Sequence, residues 1–166
     1  MAYVIYAAYG SNLLTERLLT YIKGGKFRGL EKWHTGCPDK TEPVSLGWRK
    51  VPYRVYFGKH SGRWGGGVAF LSPEMEPDPE YHAVVRLWKM TRERYECVKS
   101  QEGSWYEKEI NLGTFDGLDI LTFTSKEKFS YNPPSKLYLD VLKEGLKETT
   151  GWTDEEIDKY WEKFLK

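Results

Sequence analysis

Through its middle the sequence is a succession of short apolar runs separated by glycine- or proline-bearing turns, and this punctuation limits the chain to a sheet of short strands. Val51, Tyr53, Val55 and Phe57 alternate with Pro52, Arg54 and Tyr56, the pattern of a half-buried strand whose proline marks an edge or a bulge. Residues 58–67 turn the chain, 68–71 read as a second strand, Pro73, Pro77 and Pro79 mark the next turn, and 83–88 give a third strand. Tyr106, Ile110 and Leu112 share one face of a further strand, and Asp116-Gly117 is a hairpin turn from which 118–124 return. Hairpin-linked strands predict antiparallel pairing.

Helical patterns lie around this block. An apolar strand over 3–8 stops at Gly10-Ser11-Asn12, after which Leu14, Leu18, Tyr21 and Ile22 repeat at helical spacing until Gly24-Gly25. Residues 27–47 show no period and read as a long irregular excursion. Thr91 caps a helix over 92–100, with Met90 and Tyr95 as its staple and Gly103 beyond its end. Ser135, after Pro133-Pro134, caps a helix with Tyr138, Val141, Leu142, Gly145 and Leu146 on one face, and Thr153 with Glu156 opens a last one. Strands in the middle and helices toward the ends predict an α+β fold, one domain over 1–166, with a mixed or antiparallel sheet strongly curved into a barrel and flanked by helices.

Twenty-five Lys and Arg stand against 24 Asp and Glu, so a net charge of +1 exerts no global pull on nucleic acid or an anionic membrane. The longest apolar stretch, 3–9, falls far short of the ~20 residues that span a bilayer, and no basic segment precedes it. A soluble, cytoplasmic protein without membrane or nucleic-acid partners is expected. Cys37 and Cys97 are the only cysteines, which excludes a four-cysteine zinc site and predicts two free thiols in a reducing cytosol.

Few residues have the makings of a site. In Tyr9-Gly10-Ser11-Asn12-Leu13, glycine admits close approach of a ligand while the amides opening the following helix favour a carboxylate or phosphate; the plainer reading has Ser11 or Asn12 merely capping that helix. Glu102 falls at a helix C-terminus, where the partial negative charge raises a carboxyl pKa, with Trp105 and Tyr106 close enough to desolvate it; the plainer reading is a solvent-facing acid before a glycine stop. His34 and Cys37 have ligand-like spacing, but His60 and His82 are scattered and complete no tetrahedral set, so no metal is expected. Nucleophile-elbow, P-loop and dinucleotide signatures are missing. Residues 48–64 interleave Arg49, Lys50, Arg54, Lys59 and Arg63 with Tyr53, Tyr56 and Phe57, the makings of a base-stacking surface, yet also of a strand with one wet face.

Tyr6-Ala7-Ala8-Tyr9-Gly10-Ser11-Asn12-Leu13 resembles the N-terminal signature of the γ-glutamylcyclotransferase family. Further matches follow in order: the glycine-rich strand at 64–71, the strand at 84–90, Gln101-Glu102-Gly103, Tyr106, and Pro133-Pro134-Ser135 leading to Tyr138. The resemblance implies that the loop Tyr9, Gly10, Ser11, Asn12 and Leu13 binds a γ-glutamyl head, that Glu102 is the catalytic acid and base, and that Tyr106 and Tyr138 line the pocket. It also implies a reaction without cofactor, in which the α-amine of a small γ-glutamyl amide attacks its own γ-carbonyl and releases 5-oxoproline, and a homodimer as the assembly. A non-catalytic carboxylate-binding module on the same fold, or a nucleic-acid binder using 48–64, are the alternatives. The segment from Glu102 to Tyr106 is shorter than in longer members, and 27–47 match no family feature.

Overall fold

The computed structural model describes residues 2–30 and 32–166. In chain order the strands are β1 (Tyr3–Ala8), β2 (Gly25–Lys26), β3 (Trp33–His34), β4 (Val44–Val51), β5 (Tyr53–Ser61), β6 (Gly66–Met75), β7 (Ala83–Thr91), β8 (Lys108–Phe115) and β9 (Leu118–Thr124). The helices are α1 (Thr15–Lys23), α2 (Arg92–Glu102), α3 (Lys136–Thr150) and α4 (Asp154–Glu162). Five strands form the main sheet in the order β4-β7-β1-β9-β8, while β5 and β6 pair with each other, as do β2 and β3. Central β1 and β7 are buried along nearly their whole length, which explains why both read as continuous apolar runs rather than alternating ones.

Pairing is antiparallel except between β1 and β9, which run parallel with Ile5 opposite Ile120 and Tyr6 opposite Leu121. That pair brings the C-terminal ends of both strands to one edge of the sheet, where the site forms.

The expected barrel does not form. β4 and β8 end the sheet at opposite edges, and β5 and β6, the strands whose insertion would close it, pair with each other. Where β6 passes β9, Thr124 occupies the backbone with its side chain: its hydroxyl accepts from the Leu71 amide at 3.0 Å and donates to the Leu71 carbonyl at 2.8 Å. A side-chain bridge at that position stands in for the ladder that closure requires.

Two further expectations are corrected. The 27–47 excursion is not wholly irregular, since Trp33–His34 pairs with Gly25–Lys26 and β4 already begins at Val44. The cysteines are not free thiols: Cys37 and Cys97, 60 residues apart, are disulfide-bonded, tying the excursion to α2 and taking away the support that free thiols lent to a reducing compartment. No helix among the described residues is long and apolar enough to cross a membrane.

Several helix ends follow the sequence signals. Thr91, Ser135 and Thr153 each accept a backbone amide of their helix, Thr153 within a reciprocal capping box with Glu156. α2 runs past the expected Ser100 to Glu102 before Gly103, at φ 99°, turns the chain away. Gln101 and Glu102 thus occupy its last turn.

Candidate active site

β1 delivers Tyr9 and Gly10 to the end of the sheet, and the Tyr9 hydroxyl donates to the Phe123 carbonyl of neighbouring β9 at 2.8 Å. Residues Ser11–Leu13 wind into a 3₁₀ turn in which the Leu13 and Leu14 amides bind the Gly10 and Ser11 carbonyls at 3.0 and 3.1 Å. The first amides of the turn, those of Ser11 and Asn12, are not consumed by it. Neither side chain caps α1, whose N-cap is Leu14 without a side-chain bond, so the plain capping role is overturned. Asn12, only 3% exposed, instead donates from Nδ2 to the Tyr6 hydroxyl at 3.0 Å and to Glu102 Oε1 at 3.1 Å, while its Oδ1 is buried without a partner.

Leu13 is fully buried and anchors the turn from behind. Its carbonyl accepts Arg86 Nη1 at 2.8 Å and the Thr149 hydroxyl at 3.1 Å, and Arg86 also binds Glu148 Oε1 at 2.6 Å. Arg86→Met is therefore expected to lower stability by about 1–3 kcal/mol, because it strips a charge-assisted bond from a buried carbonyl. Thermal denaturation checks this, and an unchanged midpoint would show that the anchor is dispensable.

Glu102 is only half-buried by its overall surface, but its carboxyl points inward, and the solvent-facing alternative does not hold. Burial raises its pKa above the ordinary glutamate range, while Arg17, the Tyr21 hydroxyl, Arg63 and Asn12 pull it back. Tyr106 and Tyr138 meet on one residue of β6: the Tyr106 hydroxyl donates to the Ala69 carbonyl at 2.8 Å and the Tyr138 hydroxyl accepts from the Ala69 amide at 3.0 Å. Both phenols are held neutral by burial, so Tyr138, which accepts from Ala69, keeps its proton.

A cavity of about 680 Å³ opens over these groups, lined among others by Ser11, Tyr21, Lys32, His60, Arg63, Trp64, Glu102, Tyr106 and Tyr138. Beneath it a narrow recess of about 30 Å³ is bounded by Tyr6, Tyr9, Gly10, Asn12, Ala69 and Phe123, and shares Ser11, Glu102, Tyr106 and Tyr138 with the outer space. Of the site residues named from the sequence, all but Leu13 thus line one or both of these adjoining spaces. A Cβ on Gly10 would come into van der Waals contact with Ala69 Cβ at 3.4 Å and the Tyr138 hydroxyl at 3.6 Å, taking up room that glycine leaves in the recess.

Sequence reasoning missed Arg17, Tyr21, Lys32, Arg63 and Trp64. A signal existed for the first: Arg17 falls three residues after Leu14 and four before Tyr21, on the apolar face of α1, where an arginine is out of place. His34 and Cys37, despite their spacing, are engaged elsewhere, His34 with Arg17 at 3.2 Å and Cys37 in the disulfide. The basic aromatic stretch is divided: Tyr56 and Phe57 turn into the core, Arg54 stacks on Tyr81 at 3.8 Å, and Arg63 enters the cavity.

Mouse γ-glutamylcyclotransferase is 31% identical over 150 residues, spanning 87% of this chain and 70% of that protein. The chain belongs to the γ-glutamylcyclotransferase family. Histone deacetylase 5 of Arabidopsis thaliana is 32% identical over 202 residues, which take in 96% of this chain but only 30% of that longer protein. Among solved structures, a γ-glutamyl cyclotransferase superposes with a TM-score of 0.70 at 23% identity, covering 99% of this chain and 88% of the other, a likeness of fold. No family model matches the sequence.

Proposed function

We propose that the protein is a cofactor-free cyclotransferase that cleaves a γ-glutamyl amide to 5-oxoproline and a free amine. The observation that carries this reading is the placement of one inward-facing carboxyl, Glu102, on Asn12 of a turn whose leading residues line the same recess and whose leading amides the turn itself leaves unbonded. The α-carboxylate of the glutamyl head would lie on the Ser11 and Asn12 amides, bending the chain so that its α-amine meets its own γ-carbonyl. Holding such an intramolecular geometry can contribute ~7–11 kcal/mol to lowering the barrier.

The α-amine arrives as an ammonium and must lose a proton to become nucleophilic. Glu102 takes that proton, the nitrogen attacks the γ-carbon, and the acid so formed returns the proton to the leaving nitrogen as the C–N bond breaks. The second proton shed by the ring nitrogen passes to solvent, and the freed amine takes one up. A carboxyl whose pKa burial lifts above the ordinary glutamate range suits both roles.

The outer space receives the leaving half. Arg63 and Lys32 line it, Arg63 Nε is buried without a partner, and burial together with Arg63 lowers the Lys32 pKa, as crowding of like charge does. A leaving amine that carries its own carboxylate fits this rim better than a polycationic one. Arg63→Gln should raise KM for γ-glutamyl-α-amino acids about fivefold, the size of a partly exposed ion pair, with kcat nearly unchanged. An equal effect on a γ-glutamyl alkylamine would overturn that preference.

A mass-spectrometric screen of γ-glutamyl dipeptides, amines and ε-lysine isopeptides for 5-oxoproline tests the reading directly. Thermal stabilisation by 5-oxoproline with no turnover of any of them would instead mark a binding module.

A further inference from the structure

Arg17 is the most unusual side chain in the molecule. It is 1% exposed, yet among the described residues no carboxylate lies within ion-pair distance of it. An arginine cannot escape burial by giving up its proton, so its charge must be balanced within the fold. Three aromatic faces surround it, with the guanidinium carbon 4.3 Å from the Tyr21 ring centroid, 5.3 Å from Phe27 and 5.4 Å from Trp64. Its Nη2 donates to the Tyr21 hydroxyl at 2.6 Å, its Nη1 lies 3.2 Å from His34 Nε2, and its Nε has no partner. His34 is itself buried, and burial and the neighbouring cations Arg17, Arg63 and Lys32 lower its pKa to about 3, so it accepts from Arg17 as a neutral ring.

The way out of this pocket of positive charge leads through Tyr21. Its hydroxyl accepts from Arg17, burial holds the phenol neutral, and Tyr21 lines the cavity together with Glu102, whose pKa the hydroxyl pulls down. We propose that Arg17 is a positioning residue for Glu102: through the Tyr21 hydroxyl its buried guanidinium supplies the counter-charge that fixes the Glu102 carboxylate in the recess. The proposal rests on the cyclotransferase reading for its catalytic meaning, but the pairing itself can be measured without turnover.

Other groups around Glu102 do not replace Arg17. Tyr6, Tyr9 and Asn12 face it from β1 and the turn, Tyr106 from beyond α2 and Tyr138 from α3; the phenols are held neutral and carry no counter-charge, and Asn12 offers a neutral amide. Lys32 is exposed, where water and salt screen it, and Arg63, half-buried in the cavity lining, pulls on the Glu102 carboxyl less strongly than Arg17 does. Arg17 is the cation that no solvent reaches.

The test is the titration of Glu102 by ¹³C NMR in protein labelled at the glutamate side-chain carboxyl, with the resonance assigned through Glu102→Gln. Arg17→Gln should raise the midpoint by about one pH unit or more, as loss of a close opposite charge does, and Arg17→Lys should stay nearer the parent. If the protein turns over γ-glutamyl substrates, the acidic limb of its pH–rate profile should move by the same amount, lowering the rate on that limb about tenfold per unit. A folded Arg17→Gln protein with an unmoved Glu102 midpoint, and activity lowered uniformly across pH, would overturn the proposal. Should Arg17→Gln fail to fold, Tyr21→Phe decides: it must raise the midpoint, and an unchanged value refutes the link. Absence of turnover in the parent protein alongside a shifted midpoint would defeat the cyclotransferase reading and leave the pairing standing.

Discussion

Glu102→Gln is expected to cut 5-oxoproline release by about 10²–10⁴-fold, the contribution of a positioned acid and base, while 5-oxoproline still binds. The amide is nearly isosteric and still accepts from Asn12 Nδ2, so the recess should keep its shape. It can neither take the ammonium proton nor return one to the leaving nitrogen. Retained turnover would remove Glu102 from the chemistry. A second signature separates this variant from a merely damaged protein. An unfolded glutamate ionises near pH 4.3, and burial holds Glu102 above that value in the fold, so between the two the folded state binds more protons than the unfolded one. Stability of the parent therefore falls as pH rises through this window, and the loss persists at neutral pH. The glutamine variant carries no such cost. Its melting temperature should match the parent below pH 4 and exceed it at pH 7, a gain of stability beside a loss of function. A glutamine variant less stable than the parent at both pH values would mean that Glu102 holds the fold together instead.

What the sequence revealed of this site, and what it hid, follows from how local each signal is. The turn at Gly10 and the acid before Gly103 are punctuation: each sits where one element must end, and neighbouring residues alone declare it. Caps at Thr91, Ser135 and Thr153 are legible for the same reason. Arg17 was hidden because its reason for being buried lies on other elements, in His34, Phe27 and Trp64, and the helical period assigns it only a face. The disulfide was hidden because Cys37 meets Cys97 only after the excursion folds back on α2. The barrel was wrongly expected because hairpin spacing reports that strands pair with their sequence neighbours, but not whether those pairs join one sheet. Here the closing contact between β6 and β9 is made by the Thr124 hydroxyl, a substitution no periodicity exposes. Even the match of the glycine-rich strand was visible without its cause, which is steric.

That cause yields the largest stability effect expected of any single methyl group in this chain. Gly67→Ala would place a Cβ 1.9 Å from the Asn132 carbonyl oxygen, on a segment that Gly67 already holds through its amide bond to the Pro133 carbonyl at 2.9 Å. No rotamer relieves a clash between two main chains, so either β6 or residues 132–135 must move. The latter carry Ser135, which caps α3 and donates to the Trp64 carbonyl at 2.5 Å, and one turn further on lies Tyr138. A cost of about 3 kcal/mol follows for overpacking of this kind, and in a chain of this size it lowers the melting temperature by about 6–12 °C. Displacing α3 should also loosen the Tyr138 contact with Ala69 and weaken 5-oxoproline binding. Gly62→Ala is the matched control: a Cβ there meets nothing within 4 Å, and its melting temperature should stay close to the parent's. If both variants melt alike, the contact of β6 with residues 132–135 is slack, and the glycine-rich strand owes its composition to something other than the close approach of two backbones.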